Sequence, residues 1–214
     1  MFSAFRPLRR ALARPWLLLG SVLAVLILLA ALLAPQLAPH NPLREFPQGL
    51  TRYGAPAPPA PGHPLGFDSR GRDVLSRILF GARLSLAVGL GAAAVAVCAG
   101  LAVGLAAGYF GGAVDNLLMR LTDVVMAFPA VLLALAMGAV LPQRNVWTLV
   151  LVIAAVNWTG AARIFRGETL SLRERLYVEA ARALGAPTGR ILLRHVLPHL
   201  LPTMLVVASL GAAA

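Results

Sequence analysis

The sequence predicts an all-α protein, a polytopic transmembrane helical bundle. Three observations carry this. Of its 214 residues, 59% are hydrophobic and only 13% charged, against about 45–50% and about 25% in soluble domains. Mean hydropathy is +0.79. The apolar residues fall in runs long enough to cross a bilayer, separated by short polar pieces. These runs predict four complete spans and part of a fifth. The net charge of +11 comes entirely from arginine, since the chain has no lysine. The arginines stand mainly between apolar runs, which argues for membrane topology and against nucleic-acid binding. A single cysteine, Cys98, excludes an internal disulfide and a cysteine-based metal site and reads as a small packing residue.

Span one is residues 16–34, behind Arg6, Arg9, Arg10 and Arg14. Its length and the poor cleavage site "APQLAPHNP" predict a retained anchor rather than a removed signal. From 35 to 82 the chain is polar and rich in proline and glycine. "RYGAPAPPAPGHPLG" cannot form a regular helix, because proline lacks the donor and fixes φ, so a loop outside the bilayer is expected. His40 and His63 fall in it with no evident ligand cluster. "DSRGRDVLSRILFGARLSL" reads as a short amphipathic helix through Val74, Leu75, Ile78 and Leu79. The expected division is therefore an N-terminal region, 1–82, and a membrane domain, 83–214.

Span two is residues 84–108, with small residues at a four-residue step: Ala92, Ala96, Gly100, Gly104 and Gly108. Such a ridge either lets another helix approach closely in lipid or lines a path. "GYFGGAVDN" (108–116) is a turn. Span three is 118–141, with a kink at Pro129. "LPQRNV" (141–146) is a loop that carries Arg144, and span four is 146–165. A fifth apolar run starts near Leu200 and is still running at Ala214, which reads as a fragment or a truncated product. Asp123, three residues after Arg120, reads as a gate or relay, or as an interhelical or i, i+3 ion pair. Asn157, Trp158 and Thr159 either line a path or hydrogen-bond between helices. With a cytoplasmic N-terminus, the basic residues of the short segments (Arg6, Arg9, Arg10, Arg14, Arg120, Arg166, Arg173, Arg175, Arg182, Arg190 and Arg194) gather on the cytoplasmic side.

One charged segment interrupts the grease: "YVEAARALGAPTGRILLRHVLP", residues 177–198. Ser171 and Glu174 fit a capping box opening a helix over 172–184. Gly185 suits the left-handed position after that helix, and Pro187 blocks its continuation. Leu172, Leu176, Ala180 and Leu184 form one stripe; Arg175, Glu179 and Arg182 form another. The small residues Ala180, Ala181 and Ala183 keep the surface low enough for a partner's backbone to come close. Thr188 is expected to cap a second helix reaching Pro198. The plainer alternative is an amphipathic loop helix with Glu179 held between Arg175 and Arg182, in pairs of about 0.3–0.5 kcal/mol. His195 and His199 have a metal-binding spacing, yet Pro198 stands between them and no third ligand is near, so no metal is expected there. There is no P-loop and no nucleophile–base arrangement, so no catalytic residue and no bound cofactor is expected.

"EAARALGA" followed by "HVLP", with Gly185 thirteen positions before Pro198, resembles the EAA loop of bacterial ABC-importer permeases. "HPLGFDSRGRDVLSRILFGARLSL" (63–86), "GYFGGAVDNLLMRLTDVVMAFP" (108–129) and "WTGAARIFRGETLSLRERLYVEAARALGA" (158–186) resemble the C-type permease subunit of the dipeptide/oligopeptide/nickel transporters. The resemblance implies a six-span subunit of the bacterial inner membrane, with the EAA loop at 171–198 of an incomplete permease domain. It implies that Glu179, Ala180, Ala181, Gly185 and Pro198 form a coupling helix docked in a cytoplasmic ATPase. Val196 stands where such loops usually carry isoleucine. The implied partners are a second homologous permease, two ATPase subunits that use ATP and magnesium, and an extracytoplasmic solute-binding protein. The implied cargo is a di- or oligopeptide, the alternatives being nickel or another small solute, or no transport at all in an inactive fragment or scaffold. A membrane-embedded enzyme built on Asp123 and the histidines is the remaining rival, and the eight acidic residues are too scattered to favour it.

Overall fold

The computed structural model describes residues 15–141 and 145–213. Arg6, Arg9, Arg10, Arg14, Arg144 and Ala214 lie outside the described residues. Helix α1 (Pro15–Leu32) has no charge to hold it in water, and nearly all its side chains are exposed, as suits contact with lipid. A short helix, α2 (Ala34–Leu37), follows.

Residues 38–73 are irregular, as the proline content requires, with one 3₁₀ turn (Pro47–Gly49) and isolated antiparallel bridges such as Glu45 with Arg72 and Phe67 with Asp73. The loop is nevertheless packed. His40, Phe46, His63 and Phe67 gather with ring centroids 4.2–6.0 Å apart. Asp68 accepts the backbone N–H groups of Arg70 and Arg72 and pairs with the side chains of Arg72 and Arg77.

Helix α3 (Val74–Phe110) runs for 37 residues. The amphipathic helix and span two, expected as separate pieces, are one. No proline falls between Val74 and Phe110, and none of the glycines there takes a positive φ. Asp73 caps it by accepting the Ser76 N–H at 2.8 Å, which satisfies a donor that has no partner inside the helix. The chain divides into two compact units at Ala87–Val88, within α3.

The turn expected over 108–116 contracts to Gly111 and Gly112, both at positive φ. Helix α4 (Gly112–Ala127) and helix α5 (Ala130–Val140) replace the single span expected at 118–141. Their axes differ by 90°, so Pro129 breaks this span rather than kinking it. The reason is local: the ring forces the preceding residue out of helical backbone, and Phe128 sits at φ −85°, ψ 134°.

Helix α6 (Val146–Arg173) starts where Asn145 accepts the Thr148 N–H at 2.9 Å. It passes the expected end at 165 and reaches Arg173. Ser171 therefore lies within α6, Glu174 follows its last residue, and the capping box does not form. Tertiary contacts override the local signal: buried Thr169 packs on Gly108, and Arg173 donates to the Gly108 carbonyl oxygen at 3.1 Å. Helix α7 (Leu176–Ala183) is shorter than the expected 172–184.

Helix α8 (Thr188–Ile191) has Pro187, not Thr188, at its cap position. A wide π turn over Leu192–Val196 leads into α9 (Leu197–Ala213). The helical path thus continues through Pro198, where the second arm was expected to end. The wide turn explains how: Leu197 N–H bonds back to the Leu192 carbonyl, adding the extra residue that keeps the Pro198 ring clear of the preceding turn. By length and composition α1, α3, α6 and Thr188–Ala212 can each cross a membrane, and the α4–α5 pair makes a fifth if it counts as one span.

The second unit is held by a seam between α3 and α6. A Cβ at Gly100 would lie 2.8 Å from the Trp158 carbonyl oxygen, one at Gly104 2.8 Å from the Arg166 nitrogen, and one at Gly108 2.8 Å from the Arg166 carbonyl oxygen. These glycines are occupied by backbone contact, so this ridge packs α3 against α6. Ala92 and Ala96 continue the buried ridge. Cys98 is exposed on α3, against its expected packing role. Beyond the seam, Phe165 is fully buried among Val97, Val178, Ile191, Val196 and Leu200. Replacing Gly104 by alanine is expected to lower stability in detergent by about 1–3 kcal/mol through overpacking. Gly160→Ala on the open face of α6, with nothing within 4 Å, is expected to keep or slightly raise the melting temperature, since alanine favours helix over glycine by about 0.5–1 kcal/mol; thermal unfolding followed by circular dichroism checks both.

Candidate functional site

Helix α7 is a short bracket set on the core. Val178 is fully buried, and Ala181 and Ala186 pack against the same cluster. The helix ends in a Schellman motif. Gly185 N–H bonds to the Arg182 carbonyl and Ala186 N–H to the Ala181 carbonyl, each at 3.0 Å. Gly185 has φ +78°, a conformation that side chains disfavour. Tyr177 stacks on His199 at 5.3 Å, which holds α7 against the start of α9.

The opposite face of α7 is open. Leu176 is 83% and Leu184 87% exposed, with Glu179 and Ala180 also exposed. The stripe of Leu176, Ala180 and Leu184 faces away from the core, and Val178, outside that stripe, supplies the anchor. Leu172, the stripe's first member, lies in α6. Among the described residues no ion pair joins Glu179 to Arg175 or Arg182. The Arg182 guanidinium instead lies 5.8 Å from the Tyr109 ring centroid. Pro198 is exposed on the first turn of α9, a separate element.

Charged pairs tie the helices beside this bracket. Arg166 on α6 grips Asp115 on α4 with two parallel bonds, Nε to Oδ1 at 2.5 Å and Nη2 to Oδ2 at 2.6 Å. This fork geometry is both stronger and more directional than a single contact. Asp123 pairs with Arg163 of α6 at 2.5 Å, the interhelical form of the pairing weighed from sequence, and not with Arg120. Thr203 on α9 donates to Glu168 on α6 at 2.6 Å. Asn157 lines a cavity of ≈ 60 Å³ with Ala92, Ala96, Ile153 and Val207. Arg163, Arg166, Asp115 and Glu168 were missed as site residues because Asp115 and Arg166 are 51 positions apart, and no local spacing joins them. A double-mutant cycle on Asp115→Asn and Arg166→Gln is expected to give a coupling of about 1–2 kcal/mol in thermal unfolding. Full additivity would show that the pair does not couple α4 to α6.

The histidines divide differently from expectation. His199 donates Nδ1–H to the His195 carbonyl at 2.9 Å, an ordinary helix contact. His40 and His63, expected to lack a cluster, meet Asp73. Their rings stack at 4.4 Å, and His63 Nδ1 donates to Asp73 Oδ1 at 2.9 Å. Asp73 is fully buried. Burial pushes its carboxyl up, but the bonds from the Ser76 hydroxyl and N–H and from His63 outweigh this and hold it below its ordinary 3.8. The carboxylate therefore contributes stability that is fully present above pH 3.8 and is lost as the pH falls through its lowered native value. Amide exchange in residues 38–73 is expected to rise in that acid range, and Asp73→Asn is expected to flatten the dependence.

Residues 100–214 match the family described as the binding-protein-dependent transport system inner membrane component. Over 97% of its length the chain is 37% identical to the glutathione transport system permease protein GsiD of Pectobacterium atrosepticum, of which it covers 68%. It is 33% identical, over 90% of its length, to the oligopeptide transport system permease protein OppC of Bacillus subtilis, covering 61% of that protein. It is 37% identical, over 91% of its length, to the dipeptide transport system permease protein DppC of Alkalihalophilus pseudofirmus, covering 62%. The chain thus spans about two thirds of the length of these relatives.

Proposed function

We propose that this chain, which belongs to the family of inner-membrane components of binding-protein-dependent transport systems, is a permease subunit of an ATP-driven importer of di- or oligopeptides. It is a multi-pass inner-membrane protein by family and by its apolar helices. The observation that carries the mechanism is the two-faced α7: one side locked to the core through Val178, the other presenting Leu176, Ala180, Leu184 and Glu179 uncovered. An exposed apolar stripe with a carboxylate on a bracket beside the spans suits a protein partner. The partner here is the cytoplasmic ATPase, in which ATP and magnesium act; the permease supplies no catalytic residue and binds neither.

In this reading the N-terminus is cytoplasmic, and α7 faces the cytoplasm with Asp115, Arg166 and Arg173. A second, similar permease completes the path, two ATPase subunits bind from inside, and a solute-binding protein delivers cargo from outside. Closure of the ATPases pushes α7. Through Val178 and Phe165 the push reaches α6, and through the glycine seam it reaches α3, so that ATP binding shifts the balance between two packings of the spans. The relatives' names favour peptides, glutathione being itself a tripeptide, over nickel or another small solute.

Glu179→Arg is expected to cut co-purification of the ATPase at least tenfold and to abolish ATP-dependent uptake of a labelled dipeptide into vesicles. The Gly160→Ala chain should match wild type in both. Unchanged ATPase association in the Glu179 variant would count against α7 as the docking element.

A further inference from the structure

We propose that His40, His63 and Asp73 form a binding site for a zinc-class divalent cation. The three residues come from separate parts of the loop between α2 and α3, and each offers one ligand atom, all within 4.8 Å of one another. Two imidazoles and a carboxylate are a donor set that zinc takes with a further position left for water. Three features distinguish the cluster from an ordinary buried histidine.

First, His40 Nδ1 is enclosed and has no hydrogen-bond partner among the protein atoms. A buried polar nitrogen left unpaired is costly, and an ion on that nitrogen removes the cost. Second, His63 Nδ1 and Asp73 Oδ1 stand 2.9 Å apart. In a tetrahedral site two donors each about 2.0–2.1 Å from one ion stand roughly 3.3 Å apart, so a small widening of this pair lets the ion take the place of the shared proton, which is released. Third, the walls are apolar. Phe46 lies edge-on to His63 at 4.7 Å, and Phe67 lies 4.2 Å from the same ring. A low-dielectric wall strengthens the attraction between cation and carboxylate.

The charged groups nearby are already committed. Asp68 is held by Arg72 and Arg77, and the Arg44 guanidinium lies over Phe46 at 5.0 Å. Asp73 is fixed through its other oxygen by the Ser76 N–H, and the His40 backbone N–H bonds to the Ser76 hydroxyl at 3.1 Å. One residue of α3 therefore positions both the His40 backbone and the Asp73 carboxylate. The stacked rings lie 17° from parallel, so the His40 ring turns about its terminal torsion, which is a broad one, to bring a nitrogen to the ion. Ion binding then clamps the segment at residue 40 to the segment at 63–73. The site is separate from α7 and does not rest on the transport reading; zinc binding and peptide uptake can fail independently.

The test uses the full chain in detergent, stripped with a chelator and titrated with zinc against a zinc-binding dye. One equivalent is expected to bind saturably, undisturbed by millimolar magnesium. His40→Phe keeps a ring on His63 but removes both nitrogens, and it is expected to weaken zinc binding roughly tenfold or more with an unchanged melting profile. His63→Ala is expected to abolish binding. The double variant His195→Ala/His199→Ala is expected to keep it, which separates this cluster from the other histidine pair. Absence of saturable zinc binding by wild type, or unchanged affinity in the folded His40→Phe chain, would overturn the proposal.

Discussion

The rest of the membrane unit depends on one constraint: α3 and α6 touch backbone to backbone. In lipid, burying apolar side chains against one another yields little, because the solvent is as apolar as they are. Close approach then matters more, since dispersion contacts and short interhelical bonds are what remain. Gly100, Gly104 and Gly108 remove the side chains that would hold the helices apart. With the axes this close, Arg173 reaches the Gly108 carbonyl and Thr169 packs on the seam.

Helix α7 inherits its rigidity from that seam. Phe165 lies between seam residues Ala162 and Arg166 in sequence and is fully buried against Val178, Ile191, Val196 and Leu200. A displacement of α7 therefore meets a packed core rather than a soft linker. The short α7, closed by Gly185, leaves little slack between the exposed stripe and Val178. Asp115 with Arg166, and Glu168 with Thr203, add directional ties from α6 to α4 and to α9. An isolated charge is expensive at the bilayer centre, and pairing it with a partner lowers that cost.

The loop after α2 solves a different problem. Its prolines forbid helix and its sequence carries few large apolar residues, so it folds around a handful of aromatic rings and one buried carboxylate. Asp73 serves two elements at once: it caps the 37-residue α3 and holds His63. That double duty explains how an irregular segment stays compact without regular strands.

Much of this was legible in the sequence. Apolar runs located α1, α3 and α6 because a bilayer sets a length that composition alone satisfies. The four-step ridge located the seam, and Gly185 with Pro187 located the end of α7, because glycine and proline restrict backbone whatever surrounds them. Tertiary structure decided the rest. Ser171 and Glu174 had a capping signal, but the packing of Thr169 and Arg173 carried α6 past it. Pro129 broke its span, whereas Pro198 was absorbed by a wide turn, and no local rule separates those outcomes. Asp115 with Arg166, and His40 and His63 with Asp73, are pairings between distant segments. Residue type fixes what such groups can bind; only the folded chain decides which of them meet.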